Sequence, residues 1–501
     1  MRPSIIALLV LTAPAQADVR FSPVQVAEHV YSGGWEHFVG GGVAVFDCDG
    51  DDLPELYAAG GTNLAQLFRN TSDGAAQFVA ETPDALALTG VTGAYPVDID
   101  SDGRQDLAVL RVGPDVLLRN QGNCQFAPFE GLNFASGDHW TTAFSATWEA
   151  GNTLPTLAFG NYVDRADPQG PFEACDANFL YRPKGAVYGP PIRLEPGYCT
   201  LSMLFSDWNR NGQADLRVSN DRHYYVRGGS EQLWAMDNAP RLYGPDDGWQ
   251  DFSIWGMGIA SRDLTGDGLP EVYLTSMGDQ KLQIFEGSPT RPVWRDARYE
   301  YGTTAHRPHT GGDGRPSTGW HAQFGDVNND GRDDIFVAKG NVEQMPVAAM
   351  DDPNSLLIQK PDGHFEERSV EAGLASMARS RGGAVADLNR DGRLDVVVVN
   401  RRAPLEVYEN TSDLTGNWLS VALSQTGINT SAIGAFIELR AQGRTIVREV
   451  TIGGGHAGGQ TGAEHFGIGE AKQVELRVIW PDGQTGAWQT VPVNQALRVS
   501  R

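Results

Sequence analysis

One short pattern recurs along the chain and restricts its architecture more than any other feature: an apolar run, a cluster of acidic and amide residues around a glycine, then a second apolar run. It reads VAVFDCDGDDLPELYAAG from Val43, YPVDIDSDGRQDLAVL from Tyr95, LFSDWNRNGQADLRVS from Leu204, IASRDLTGDGLPEVYL from Ile259, FGDVNNDGRDDIFVA from Phe324 and AVADLNRDGRLDVVVV from Ala384. The first Asp falls at 47, 98, 207, 263, 326 and 387, so the gap of 109 between the second and third is about twice the usual spacing. A further copy is expected midway. There ATWEAGNTLPTLAFG from Ala146 keeps the flanking strands and the glycine, with Trp148, Ala150, Asn152 and Thr156 in place of carboxylates and amides. It is a repeat that has lost its ligands, and it brings the count to seven.

A period of about 50 to 60 residues built from short strands indicates a propeller, in which one repeat is one sheet that buries its faces only against its neighbours. Later strands are visible inside a copy, as in AQLFRN then QFVAE and DVLLRN then QFAPF, giving four per repeat. The last copy has LEVYEN but no outer strand, whereas the chain starts with FSPVQVAEHV from Phe21, similar to FEERSVEAGL from Phe365. The N-terminal strand is therefore expected to complete the seventh blade and remove a free sheet edge. Beyond Asn410 the turn-rich TSDLTGNW leads into WLSVALS, AFIELRA, TIVREVTI, VELRVIW and ALRVS, short strands of an independent β-rich domain. The expected fold is all-β: a seven-bladed propeller over 18–411 and a small β-sandwich-like domain over 412–501.

The acidic clusters carry the chemistry. Counted from the first Asp, oxygen-bearing side chains occupy positions 1, 3, 5 and 9: Asp47, Asp49, Asp51, Glu55; Asp98, Asp100, Asp102, Asp106; Asp207, Asn209, Asn211, Asp215; Asp263, Thr265, Asp267, Glu271; Asp326, Asn328, Asp330, Asp334; Asp387, Asn389, Asp391, Asp395. Hard oxygen ligands at alternate positions, with glycine near position 6 for a sharp turn and a backbone carbonyl at position 7, suit Ca²⁺. An EF-hand needs flanking helices and a Glu at position 12, and the flanks here are strands. An acidic β-turn that holds no ion is the plainer alternative, since Asp, Asn and Gly are turn formers. Six repeats of one spacing favour a common cause. Six Ca²⁺ ions would halve the formal charge of −24. At about millimolar calcium and a dissociation constant of order 10⁻⁴ M each would add roughly 1.4 kcal/mol of stability.

Arg2, the apolar stretch Ile5 to Leu11 and Ala15-Gln16-Ala17 make residues 1–17 read as a signal peptide cleaved after Ala17, so export to the periplasm or the medium is expected. No later apolar stretch reaches bilayer-spanning length, which argues against membrane insertion. In an oxidising compartment four cysteines allow three pairings. Cys175 with Cys199, closing a Pro/Gly-rich insertion, is the expected disulfide, and Cys48 with Cys124 is a second possibility. With 63 acidic against 39 basic side chains the chain lacks the basic footprint of a nucleic-acid binder.

The DxDxDGxxD clusters over roughly residues 20 to 411 resemble the FG-GAP/VCBS repeat family, whose propeller is shared with the integrin alpha headpiece. No metal-dependent adhesion domain is inserted between blades. The run GGGHAGGQTGAEHFGIG from Gly453 and VIWPDG from Val478 resemble the ASPIC/UnbV domain, with His456 where an aromatic is expected. Together the halves are similar to the CRTAC1-like (cartilage acidic protein) family. The resemblance implies a secreted calcium-binding protein with an adhesion or interaction role, its partner a protein or a glycan.

An enzymatic reading is the alternative. His306, His309 and His321 could gather as a general base or metal set, and propellers with such loops occur in polysaccharide lyases. No GxSxG, HExxH, Walker or dinucleotide motif is present. Trp140, Trp148, Trp234, Trp249, Trp255 and Trp320 could stack on sugars, although aromatics between packed blades are usually core.

Overall fold

The apolar runs on either side of each acidic cluster form the two innermost strands of a sheet, and both are buried because neighbouring sheets cover both of their faces. Val43–Phe46 and Glu55–Ala58 are buried at every residue, while the third strand, Gln66–Asn70, half-exposes Gln66 and Arg69, and the outer Phe78–Ala80 exposes Val79. Burial thus decreases outward from an axis, as a propeller-like arrangement requires. The computed structural model describes residues 18–221, 228–413 and 416–501, and the expected leader, 1–17, lies outside them. Among the described residues helix is confined to three short 3-10 turns and one turn at Ser369–Ala372.

Among the described residues seven antiparallel four-stranded units repeat this pattern, with inner strands Val43–Phe46, Val91–Val97, His139–Thr147, Thr200–Ser206, Gly256–Arg262, Gly319–Gly325 and Arg379–Ala386. Each inner strand packs on the next, and Arg379–Ala386 packs on Val43–Phe46. The second and third units join at their top corner, where His139 and Trp140 pair with Gly113 and Val112. The unit without acidic ligands is present, with His139–Thr147 paired to Thr156–Asn161. Phe21–Val24 pairs antiparallel with Glu406–Asn410, Phe21 opposite Asn410, so the first strand of the chain is the outer strand of the last sheet.

Both cysteine pairs are bonded. Cys175–Cys199 closes the insertion of the third sheet, and Cys48–Cys124 ties the first acidic turn to the neighbouring second sheet, where the Cys124 N–H and the Asn120 side-chain amide also donate to the Cys48 carbonyl. No helix of the described residues is long and apolar enough to cross a membrane.

The C-terminal strands form two sheets. Glu464–Gly469, Asn417–Ser424 and Gln495–Ser500 make one, the last two parallel; Arg444–Glu449, Phe436–Ala441, Gln473–Ile479 and Gln489–Pro492 make the other. Alternation decides what lies between them: Leu419, Val421 and Leu423 turn inward onto Ile437, Leu439, Phe466 and Leu476, while Trp418, Ser420 and Ala422 turn outward.

These sheets do not stand apart from the repeats, in contrast to the independent domain expected from the sequence. Their glycine-rich run enters the axis of the seven sheets as an extended arm. Its Ile452, Gly453, Gly455, Gly458 and Gln460 bridge to Ala146, Leu204, Ile259, Ala94 and Val45, one residue from each of five inner strands. Only glycine permits this approach: a Cβ on Gly93 would lie 1.6 Å from the Ala457 carbonyl oxygen, and one on Gly42 1.8 Å from it. His456 is fully buried in the middle of the arm. Its Nδ1 donates to the Met257 carbonyl, its Nε2 accepts the Gly40 N–H, and its own N–H donates to His321 Nδ1. The ring lies 5.0 Å from that of Trp320.

Candidate functional site

Each of the six acidic clusters is the turn between the first and second strands of its sheet, so all six lie on one face. The chain turns through left-handed conformations at positions 4 and 6. Position 6 is glycine in five turns, with φ between 82° and 88°, and Asp52, with φ 67°, in the first. The position-1 carboxylate organises the loop from within. Asp98 accepts the Asp102 N–H at 3.0 Å on one oxygen and the Gly103 N–H at 2.9 Å on the other, and Asp207, Asp326 and Asp387 repeat this. Where position 4 is glycine, Asp47 and Asp263 instead accept from Gly50 and Gly266, each at 2.7 Å, and from position 6.

Position 9 has a structural duty that its place in the motif does not announce. Asp106 accepts the Ile99 N–H at 2.9 Å and the Asn120 N–H at 2.8 Å, pinning the turn to the third strand, and Asp334 and Asp395 do the same. Asp215 accepts the Trp208 indole and the Tyr243 hydroxyl, each at 2.8 Å.

Two turns gather carboxylates most closely. One oxygen each from Asp47, Asp49 and Glu55 lie within 4.8 Å of one another, and so do oxygens of Asp98, Asp100 and Asp106. Position 5 stands outside these groups: Asp102 is turned to Arg104 and Arg119. The other turns place Asn209, Thr265, Asn328 and Asn389 at position 3 and so carry fewer charges. Burial raises Glu55 and Glu271 to about 7, Asp106 to about 8 and Asp387 to about 6, and holds Asp326, Asp334 and Asp395 well above the usual carboxylate range; neighbouring carboxylates push each further upward. Asp100 Oδ1 and Glu271 Oε1 are buried without a hydrogen-bond partner. Crowded carboxylates with free lone pairs form a donor set that could hold a hard divalent cation.

Two groups on these turns were missed by the motif reading. Arginines counter the charge: Arg69 on Asp49, Arg119 on Asp100 at 2.7 Å, Arg332 on Asp330 and Arg393 on Asp391. The recurrent Arg after the turn glycine at 104, 332 and 393 was a visible signal. The C-terminal domain supplies the others. Glu449 accepts the Asp207 N–H and the Ser206 hydroxyl, Arg448 reaches Asp333 at 2.9 Å, His465 Nε2 meets Asn329 Oδ1 at 2.7 Å, and Thr430 donates to Asp98. Residues 417–501 hold seven basic and six acidic side chains, the rest of the chain 32 and 57, so the near-neutral domain covers the strongly acidic face.

Family models match both parts of the molecule: an FG-GAP-like repeat over residues 47–109, 263–337 and 347–398, and an ASPIC and UnbV domain over 425–501. Cartilage acidic protein 1 of Mus musculus is 25% identical over 487 residues, covering 88% of this chain and 70% of the mouse protein. The chain is an FG-GAP repeat protein related to cartilage acidic protein 1. The Xenopus tropicalis and Homo sapiens proteins align over shorter stretches, 33% identical over 110 residues and 29% over 127, and there the match spans only 17% and 19% of the relative's length. Among solved structures, the BBS1 N-terminal region in complex with ARL6 has a TM-score of 0.45 at 11% identity, covering 79% of this chain and 97% of that one. An Agrocybe aegerita lectin has a TM-score of 0.41 at 15% identity, covering 71% and 88%.

In this FG-GAP repeat protein the histidines of the enzymatic alternative do not gather. His306 Nδ1 meets Asp279 at 2.5 Å, His309 Nε2 meets Ser369 at 2.9 Å, and His321 lies buried at the axis beneath His456. Burial lowers His321 to about 4 and His456 to about 3, so both are neutral. Of the six tryptophans, Trp140, Trp234, Trp249 and Trp320 are core, and Trp148 and Trp255 are half-buried.

Proposed function

We propose that this FG-GAP repeat protein is an exported calcium-binding scaffold, a closed seven-bladed propeller over residues 18–411 capped by the ASPIC/UnbV domain over 412–501, that binds a protein or glycan partner outside the cytoplasm. The observation that carries the calcium part is the convergence of three carboxylate oxygens within 4.8 Å in each of the turns at 47–55 and 98–106. Buried, mutually repelling carboxylates favour a bound cation over an empty turn. Asp47, Asp49 and Glu55, and Asp98, Asp100 and Asp106, would hold it, and the ion would supply the counter-charge that locks the turn. The four amide- or threonine-containing turns would bind more weakly.

Export is supported by two disulfides and by the relation to cartilage acidic protein 1. An adhesion role fits the axis, which is filled by the arm and leaves partner contacts to the rims and loops.

Titration calorimetry of chelator-treated protein with Ca²⁺, paired with melting curves with and without EDTA, tests the reading. Binding with a rise in melting temperature is expected; no heat and no shift would remove calcium from it. N-terminal sequencing of the mature protein from a cell fraction tests export, with Asp18 as the expected first residue.

A further inference from the structure

The contact between the C-terminal domain and the acidic face is close at several glycines, and beside them lies a sizeable opening. A Cβ on Gly392 would lie 1.9 Å from the Trp418 ring, one on Gly416 2.0 Å from the Asn329 carbonyl, and one on Gly467 1.9 Å from Asp326 Oδ2. Beside these contacts a cavity of about 460 Å³ remains between the inner strands of the fifth, sixth and seventh sheets, the first and last acidic turns, and the outward face of the strand Asn417–Ser424. That face is cut back: Ser420 and Ala422 line the opening, joined by Ala496 of the neighbouring strand. Larger side chains at these positions would fill it, so the space is created by the choice of residues rather than by loose docking.

The walls have both signs of charge. Arg262 enters from the fifth sheet and Glu464 from the base of the arm, with Arg262 Nη1 3.7 Å from Glu464 Oε2, beyond hydrogen-bond reach. The guanidinium has five donors and makes one long contact, 3.5 Å to the Phe324 carbonyl, besides a 3.9 Å approach to Asp333. Its Nε is buried without an acceptor. A strong donor and a strong acceptor thus lie side by side without a direct hydrogen bond between them. A hydroxyl seated to the side of the pair, at roughly 2.8 Å from each, can accept from Arg262 while donating to Glu464; an anion would meet Glu464 and a cation would meet Arg262. Trp418, its ring stacked on His465, lines one edge, and Gln460 adds an amide. Paired donor and acceptor side chains, an aromatic edge and a volume in the range of small-molecule sites describe a receptor for a neutral polyhydroxylated ligand.

We infer that the cavity between the ASPIC/UnbV domain and the acidic face is a binding site for a neutral saccharide of one or two rings, with a ligand hydroxyl bridging Arg262 and Glu464. This rests on the glycan branch of the binding reading above, names the place of binding, and does not require that the acidic turns hold calcium.

The test uses the mature full-length chain on an array of neutral and acidic glycans, followed by saturation-transfer NMR and titration with the strongest neutral mono- or disaccharide. Three proteins are compared: the parent, Ala422→Trp to fill the space, and Glu464→Gln to remove the acceptor charge while keeping the shape. A neutral sugar whose binding is abolished in Ala422→Trp and weakened about tenfold in Glu464→Gln, both variants melting within a few degrees of the parent, supports the assignment. Neutral-sugar binding that survives both substitutions overturns the site but leaves a glycan scaffold standing; binding of acidic glycans alone overturns the ligand class; no saturation transfer from any sugar overturns the proposal. None of these results bears on calcium, which the melting curves with EDTA decide separately.

Discussion

The turn at 47–55 and the turn at 326–334 share one motif and differ in surroundings. In the first, Asp51 and Asp52 are exposed and the C-terminal domain reaches the turn through Arg498 on Asp52 at 2.9 Å, at the rim. In the second, Asp326, Asn328, Asn329, Asp333 and Asp334 are all buried, beneath Gly467, His465 and Arg448. Burial accordingly lifts Glu55 to about 7, and holds Asp326 and Asp334 well above the usual carboxylate range. The covered turn is as much part of a domain interface as a ligand loop. The lesson is that a repeated motif fixes a local shape, whereas access and electrostatics come from what is laid over it.

The largest effect separating the two turns is steric. Gly467→Val places atoms where Asp326 Oδ2 stands and is expected to cost about 3 kcal/mol or more. Gly50→Ala, with open space around it, should cost about 1 kcal/mol for its left-handed backbone. Urea denaturation of the two variants checks the contrast, and equal losses would break it. Next come the position-1 carboxylates. Asp326→Ala strands the part-buried N–H groups of Asp330 and Gly331, expected at about 2 kcal/mol, whereas Asp47→Ala lets water reach the freed groups and should cost about 1 kcal/mol.

The pH profile of metal-free protein sharpens the same difference. Carboxylates whose folded pKa is raised stabilise the fold fully below their unfolded value near 4 and lose that contribution as pH rises through the folded one. Asp387, Glu55 and Asp106 therefore weaken the apo protein progressively from about pH 4 to about pH 8. Histidines held neutral act oppositely: His321, at about 4, and His456 and His465, at about 3, stabilise above their unfolded 6.5 and lose this as pH falls toward those values. Melting temperature should peak between these limits without metal, and saturating Ca²⁺ should flatten the alkaline side. Tryptophan fluorescence should report the acid side, since Trp320 packs on His456. The smallest effect is at the rim: Arg498→Ala should change stability by under about 1 kcal/mol, less at high salt.

Much of the repeat portion was legible in the chain. Apolar runs flanking acidic turns foretold paired inner strands, the interval of 109 foretold a sheet without ligands, and the likeness of the Phe21 and Phe365 segments foretold the pairing of Phe21–Val24 with Glu406–Asn410. Alternation likewise foretold the C-terminal strands. The duty of position 9 was hidden, because a carboxylate that accepts backbone N–H groups from the third strand looks in sequence like one that awaits a cation. The covering of the turns was hidden too, since Arg448 and Asp333 are 115 residues apart.

The sequence by itself determined the sheets and the shape of each acidic turn, because strand alternation and left-handed turn positions are local properties of backbone and side chain. Only the tertiary structure decided where the glycine-rich run goes, which turns are covered and where a cavity is left. Those outcomes follow from close approach between segments far apart in the chain, such as Gly93 against Ala457 and Arg262 facing Glu464, and no pattern within either segment encodes the distance between them.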